Sequence, residues 1–77
     1  MATRQLQWAM PTKLPRLRVL RERAALTQDE LAEQAGIHRV SIANIERGAK
    51  GAQAKTVRKL ARVLGVKPAD LMEAPDA

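Results

Sequence analysis

Proline and glycine residues divide most of this chain into helix-sized pieces, at Pro15, Gly36, Gly48, Gly65 and Pro68. Proline suits the first turn of a helix, where its missing N–H is not needed, and glycine suits the position just past a helix C-terminus. Between these residues the apolar side chains recur at helical spacing, and residues 14–72 show no alternation of strand type. The pattern predicts a compact all-α fold of four to five short helices.

Two helices are predicted in the first half of the chain. The first begins at Pro15 and has one apolar face, formed by Leu17, Leu20 and Ala24. The second follows Thr27, whose spacing from Glu30 is that of a capping box, in which each side chain accepts from the other residue's backbone N–H. Gly36 then ends the second helix.

Three further helices are predicted in the second half. The third covers about residues 38–47 and the fourth about residues 54–64, with a glycine-rich connection over residues 48–53 between them. A short fifth helix begins at Pro68. Because Trp8 is the one aromatic residue, the core has to be built from Leu, Ile, Val and Ala.

Composition excludes several classes of function. The chain has no cysteine and one histidine, His38, which excludes thiolate zinc sites, multi-histidine metal sites and cysteine nucleophiles. We therefore expect a non-enzyme with no catalytic residue, no metal and no cofactor. We also expect no membrane-spanning segment, because no apolar run is long enough. The net charge of +6 indicates a polyanionic partner, most simply nucleic acid and less simply an anionic membrane surface.

Residues 28–47, QDELAEQAGIHRVSIANIER, carry the spacing that two steeply crossing helices need. Ala32 is small where the backbones approach, Gly36 lies in the turn, and apolar residues follow behind. The later of these two helices, which is the third helix of the chain, shows no carboxylate before Glu46. Its outward side is therefore free to enter a major groove. Three acidic residues of the preceding helix would be repelled by phosphate and are expected to face away from DNA: Asp29, Glu30 and Glu33.

The chain resembles the Cro/C1-type (XRE) helix-turn-helix repressors, which have the lambda-repressor-like fold, over about residues 16–72. Three segments carry the resemblance: LRVLRERAALTQDELAEQAGI at Leu17–Ile37, HRVSIANIERG at His38–Gly48, and KLARVLGVKPADLM at Lys59–Met72. Two places depart from the family pattern. Ala24 and Ala25 replace the commoner Lys-Gly pair, and Ala52 stands where the loop usually carries a proline.

The resemblance implies that the start of the third helix contacts base edges, through Arg39, Val40 and Asn44, with Ala43 alongside. The side chains suit that role. Arg39 can donate two hydrogen bonds to guanine, Asn44 can pair bidentately with adenine, and Val40 can meet a thymine methyl. Orientation of Arg39 onto phosphate together with Gln28 is an open alternative.

Phosphate contacts are expected from residues around that helix. The resemblance implies them for Gln28, Arg47, Lys50 and the backbone N–H of Gly48. Side-chain chemistry adds His38, Ser41 and Lys55, which can meet phosphate without distinguishing bases. The resemblance also implies a structural ion pair between Arg21 and Glu46, which would explain an acid so close to a DNA-facing helix.

We expect three segments along the chain. Residues 1–13 form an N-terminal arm that is either flexible or dimer-forming, residues 14–73 form the helix-turn-helix domain, and residues 74–77 form a C-terminal tail. In the arm, Leu6, Trp8 and Met10 alternate with polar or small residues, which suits pairing with a second copy. An alternative dimer surface consists of Leu64, Val66, Leu71 and Met72.

The resulting hypothesis is a cytoplasmic, sequence-specific double-stranded DNA-binding transcriptional regulator, a repressor of bacterial or phage type. It would bind a palindromic operator as a homodimer, with any further protein partner unknown. One alternative is the antitoxin of a toxin–antitoxin pair or the controller protein of a restriction–modification system. Another is a protein-interaction module that has lost DNA binding.

Overall fold

The computed structural model describes residues 11–73, and within that range the chain forms five helices. They are α1 (Leu17–Arg23), α2 (Gln28–Ala35), α3 (Arg39–Glu46), α4 (Ala54–Leu64) and α5 (Pro68–Met72). The predicted all-α fold is confirmed. None of the helices in this range has the length and apolarity needed to cross a bilayer. The predictions for Leu6, Trp8 and Met10 and for residues 74–77 lie outside the described residues.

One apolar core joins all five helices. Its largest fully buried side chains are Leu17, Leu31, Ile42, Val57, Leu60 and Leu71. Each such side chain contributes about 1.5–3 kcal/mol when it leaves water. Every helix contributes at least one of them, so α3 is held against the domain along its whole inward face.

Both ends of α2 are formed as predicted. The backbone N–H of Glu30 donates to Thr27 Oγ1 at 3.0 Å, and the N–H of Thr27 donates to Glu30 Oε1 at 2.8 Å, which completes the capping box. At the other end Gly36 adopts a φ of +69°, the left-handed conformation that lets the chain leave the helix and turn toward α3.

The prediction for the start of α1 is wrong by two residues. Pro15 lies in a turn ahead of the helix, which begins at Leu17. The N–H of Leu17 bonds to the carbonyl of Leu14, and the first helical i to i+4 bond runs from Leu20 to Arg16. Leu14 is itself buried, so the turn that precedes the helix is fixed by packing against the core.

The prediction that Ala24 belongs to the apolar face of α1 is also wrong, because Ala24 is exposed and the helix ends at Arg23. The next residue, Ala25, has a φ of +58° and is the one non-glycine residue with positive φ in the described range. The Cβ of an L-residue makes this conformation unfavourable by about 1–2 kcal/mol. The departure from Gly at position 25 therefore places strain at the end of α1.

Candidate nucleic-acid interface

Helices α2 and α3 form the helix-turn-helix unit, and their packing decides which face of α3 reaches solvent. Leu31 and Ala32 of α2 are buried, as are Ile42 and Ile45 of α3. The small Ala32 is 5% exposed, consistent with the close approach of two backbones that the spacing predicts. The opposite side of α3 is therefore turned outward.

A three-residue network ties α3 to the helices before it. Arg21 of α1 donates to both carboxylate oxygens of Glu46, from Nε at 2.6 Å and from Nη2 at 3.0 Å. Its Nη1 donates to the carbonyl of Leu26 at 2.8 Å, and Gln28 Nε2 donates to Glu46 Oε1 at 3.1 Å. The Arg21 and Glu46 side chains are only 11% and 5% exposed, so this bidentate pair is part of the structural interior.

Arg21 carries its positive charge within this network. The hydrogen bonds from Arg21 to Glu46, helped by the nearby negative charges of Glu46 and Glu22, raise the pKa of Arg21 above its ordinary value, although partial burial opposes them. An arginine that titrates above its already high ordinary range is charged at every pH at which DNA is bound.

The four residues predicted to contact bases lie along α3. The Arg39 side chain is 56% exposed, and Val40 is 63% exposed as a residue, more than any other large apolar residue of the described range. Ala43 and Asn44 are half-buried on the same helix. The Arg47 Nη2 donates to Asn44 Oδ1, so the Asn44 amide is already oriented by a neighbouring guanidinium.

The predicted phosphate-contacting residues fall into two groups. Gln28 and Arg47 line one cleft together with Arg18, and Ala43 of α3 forms part of its wall. Ser41 and Lys50 line a second cleft, where Lys50 Nζ donates to Ser41 Oγ at 3.3 Å. Since Ser41 and Ala43 are two residues apart, they point roughly 200° from each other around the helix. The two clefts therefore lie on opposite sides of α3.

Three other predicted residues are placed differently. His38 precedes α3 and is exposed, and Lys55 is exposed in the first turn of α4. Within residues 11–73 neither side chain makes a hydrogen bond or an ion pair that would join it to either cleft. The backbone N–H of Gly48, predicted to meet a phosphate, donates to the carbonyl of Ile45 at 3.1 Å and so already has an acceptor within the protein.

One lysine of the interface was not predicted from the sequence. Lys13, within the predicted arm, donates from Nζ to the carbonyl of Gly48 at 2.8 Å and lines the same cleft as Lys50. It is held there by reciprocal backbone hydrogen bonds between Thr12 and Ala52, both of 2.8 Å. No local pattern links residues so far apart in the chain, so only the tertiary structure shows that Lys13 lies in this cleft.

The bridge depends on Gly51. A Cβ built at this glycine would lie 2.7 Å from the backbone C and O atoms of Thr12. A side chain there cannot be accommodated without moving one of two backbones. The glycine-rich character of the loop was recognised from the sequence. Position 51 requires glycine because the backbone of Thr12 passes close to it.

Asp29 is placed against expectation. Arg39 Nε and Asp29 Oδ1 are 3.2 Å apart, so the carboxylate lies beside the first residue of α3. Asp29 was expected to face away from DNA, and the structure places it beside the helix that is predicted to contact DNA.

Comparison with known proteins places the chain in a family. A family profile described as a helix-turn-helix domain matches residues 15–74. The chain belongs to this helix-turn-helix family. The resemblance to Cro/C1-type regulators, predicted from the sequence motifs, is confirmed by this match and by the similar proteins that follow.

Two of the similar proteins are controllers. The control protein C.BamHI of Bacillus amyloliquefaciens is 35% identical over 48 residues, which span 62% of this chain and 59% of that protein's length. The restriction-modification controller protein C.AhdI from Aeromonas hydrophila has a TM-score of 0.71 at 33% identity, covering 78% of this chain and 92% of that chain.

A third similar protein has been solved with DNA. The master regulator for biofilm formation SinR, in complex with DNA, has a TM-score of 0.73 at 27% identity. The match covers 75% of this chain and 94% of that chain. The fold of the present domain is thus the fold of a helix-turn-helix regulator along almost its whole described length.

Proposed function

We propose that this chain is a sequence-specific double-stranded DNA-binding transcriptional repressor that acts by occupying an operator, without catalysis. Helix α3 enters the major groove with Arg39, Val40, Ala43 and Asn44 toward the base edges. The observation that carries the proposal is the pair of cation-lined clefts on opposite sides of α3. A major groove is bounded by phosphates on both sides, so a helix with cations on both flanks matches its charge.

The two clefts divide the phosphate contacts between them. Gln28 and Arg47 take one wall of the groove, with Arg18 adding positive charge, while Ser41 and Lys50 take the other, with Lys13 beside them. The buried Arg21–Glu46 pair keeps α3 at a fixed position relative to both. His38, just before α3, and Lys55, in the first turn of α4, add further phosphate contacts.

We propose a homodimer on a pseudo-palindromic operator, acting in the cytoplasm. One α3 covers a single half-site, and two copies related by a twofold axis place two such helices about one helical turn apart. Leu64, Val66 and Met72 are half-buried at the edge of the core and offer an apolar surface for the second copy, whereas Leu71, which the sequence analysis included in this surface, is fully buried. The arm is the competing dimer surface, and sedimentation equilibrium of the chain with and without residues 1–10 distinguishes them.

Binding-site selection from a random duplex pool tests the proposed function. The expected result is an enriched palindrome with half-sites about one helical turn apart, bound far more tightly than random duplex. Absence of enrichment, together with no binding to random duplex at low salt, would identify a protein-interaction module instead. Fluorescence anisotropy at several salt concentrations provides both measurements.

A second candidate is a controller protein of a restriction–modification system. The similarity to C.BamHI and to C.AhdI is the observation that favours it. The test is the position of the selected operator. An operator upstream of a neighbouring restriction or methyltransferase gene supports the controller role, whereas an operator at unrelated genes favours a general repressor.

A further inference from the structure

The ion pair between Asp29 and Arg39 joins the first turn of α2 to the first residue of α3. Its Nε–Oδ1 distance is 3.2 Å, and its side chains are 56% exposed for Arg39 and 79% exposed for Asp29. The core does not need it, because α2 and α3 are already joined by buried apolar residues. Its effect falls instead on the orientation of one side chain, the predicted guanine-contacting arginine.

The atoms involved leave Arg39 able to bind a base. A guanidinium has one N–H on Nε and two on each of its terminal nitrogens. Asp29 lies against Nε, which leaves donors on the terminal nitrogens for the O6 and N7 acceptors of guanine. A carboxylate held at Nε restricts the rotation of a long side chain before the DNA arrives, which lowers the entropy lost on binding.

Asp29 also places a negative charge close to the DNA. Residues 27–51 carry three basic and four acidic residues, so the reading unit itself has a net charge of −1. An additional carboxylate beside α3 weakens attraction to any phosphate backbone, whatever its sequence. Orientation of Arg39 and repulsion of phosphate both raise the ratio of specific to non-specific binding.

We propose that Asp29 is a positioning residue that sets the base preference of Arg39 and lowers binding to other sequences. This inference rests on the proposed function, in which Arg39 contacts a base edge. It makes Asp29 a determinant of specificity although its own side chain contacts no base.

Asp29→Asn tests the inference, with Glu33→Gln as a matched control. Glu33 is an exposed carboxylate on the same helix and makes no ion pair within the described residues, so its replacement removes one charge and no contact. Both variants, Arg39→Ala and the double variant Asp29→Asn/Arg39→Ala are titrated by anisotropy. Three duplexes are used: the selected operator, the operator changed at the base pair where Arg39→Ala loses preference, and a random duplex.

The expected result separates the two carboxylates. Both single-charge variants bind random duplex more tightly than the parent, because each removes a negative charge. Only Asp29→Asn lowers the preference for operator over changed operator, by about three-fold, the size typical of an exposed ion pair. In the Arg39→Ala background, Asp29→Asn leaves the preference for operator over changed operator unchanged, because the side chain that Asp29 orients is absent.

Two results would overturn the inference. An unchanged operator preference in Asp29→Asn would mean that the pair has no role in base selection. A higher preference would mean that Asp29 competes with guanine for Arg39 instead of orienting it. If Arg39→Ala itself keeps the parent preference, the base-contacting role of Arg39 fails, which is a failure of the proposed function and not of Asp29 alone.

Discussion

Two arginine–carboxylate pairs connect the helices of this domain, and they differ in burial. In the Arg21–Glu46 pair the side chains are 11% and 5% exposed, whereas in the Arg39–Asp29 pair they are 56% and 79% exposed. Removing one partner of a buried pair leaves an uncompensated charge in the protein interior, but an exposed pair is largely replaced by water. The buried pair therefore maintains the fold, and the exposed pair is available to act on binding.

The largest effect is expected for the buried pair. Glu46→Ala leaves the Arg21 guanidinium without its carboxylate and Gln28 without its acceptor. The free energy of unfolding, measured by urea denaturation, should fall by about 3–5 kcal/mol, enough to unfold much of so small a domain. Glu22→Gln is the control. It removes an exposed partner of Arg18 and should cost less than about 0.5 kcal/mol, so equal losses in the two variants would contradict the comparison.

The next largest effect is expected on DNA-binding affinity and not on the stability of the fold. Arg39→Ala should leave the urea midpoint nearly unchanged but weaken operator binding by about 1–3 kcal/mol and relax preference at one base pair. Lys50→Ala should instead weaken binding to operator and random duplex alike, and lower the salt dependence by about one ion. Identical behaviour of the two variants on both duplexes would show that Arg39 contacts phosphate, the alternative that the sequence left open.

A smaller effect tests the loop that carries Lys50. Gly51→Ala brings a Cβ to 2.7 Å from the Thr12 backbone, so the Thr12–Ala52 bridge must open and Lys13 must leave the cleft. We expect a loss of about 1–3 kcal/mol in the free energy of unfolding, the usual cost of overpacking. Ala49→Gly in the same loop is the control for flexibility. A Gly51→Ala variant as stable as the parent would show that the loop accommodates the side chain by moving.

The smallest effect is a gain in stability. Ala25→Gly relieves the left-handed φ of +58° at the end of α1, and the greater freedom of glycine in the unfolded chain offsets part of the benefit. The net expectation is a rise of about 0.5–1 kcal/mol in the free energy of unfolding, measured by thermal and urea denaturation. Ala24→Gly should instead be neutral or destabilising, because Ala24 has a negative φ of −84°. A gain in both variants would contradict the assignment of strain to Ala25.

Local signals in the sequence predicted much of this domain. The capping box at Thr27 and Glu30 and the left-handed turn at Gly36 depend on neighbouring residues, so spacing alone was enough to find them. The start of α1 was missed because it depends on Leu14, which docks into a core formed by distant helices. The features that depend on neighbouring residues were therefore predicted correctly, and the feature that depends on tertiary packing was missed.

The interface was predicted less completely than the fold. The sequence motif predicts α3 as the helix that contacts DNA, and it implied the Arg21–Glu46 pair, whose partners are in contact. It did not find Lys13, which reaches Gly48 by a contact across 35 positions. It also did not find the contact between Asp29 and Arg39, because repulsion by phosphate was considered without attraction by an arginine of the next helix.

The sequence by itself determined the number and order of the helices, most of their ends and the helix-turn-helix unit, because each of these depends on spacing within about two helical turns. Only the tertiary structure set the solvent exposure of the charged side chains and the charge contacts that the motif did not imply. It buried Arg21 and Glu46 together, left Arg39 and Asp29 in water, and brought Lys13 beside Lys50. The physical reason is that electrostatic free energy depends on distance and solvent exposure, and neither is encoded in local spacing.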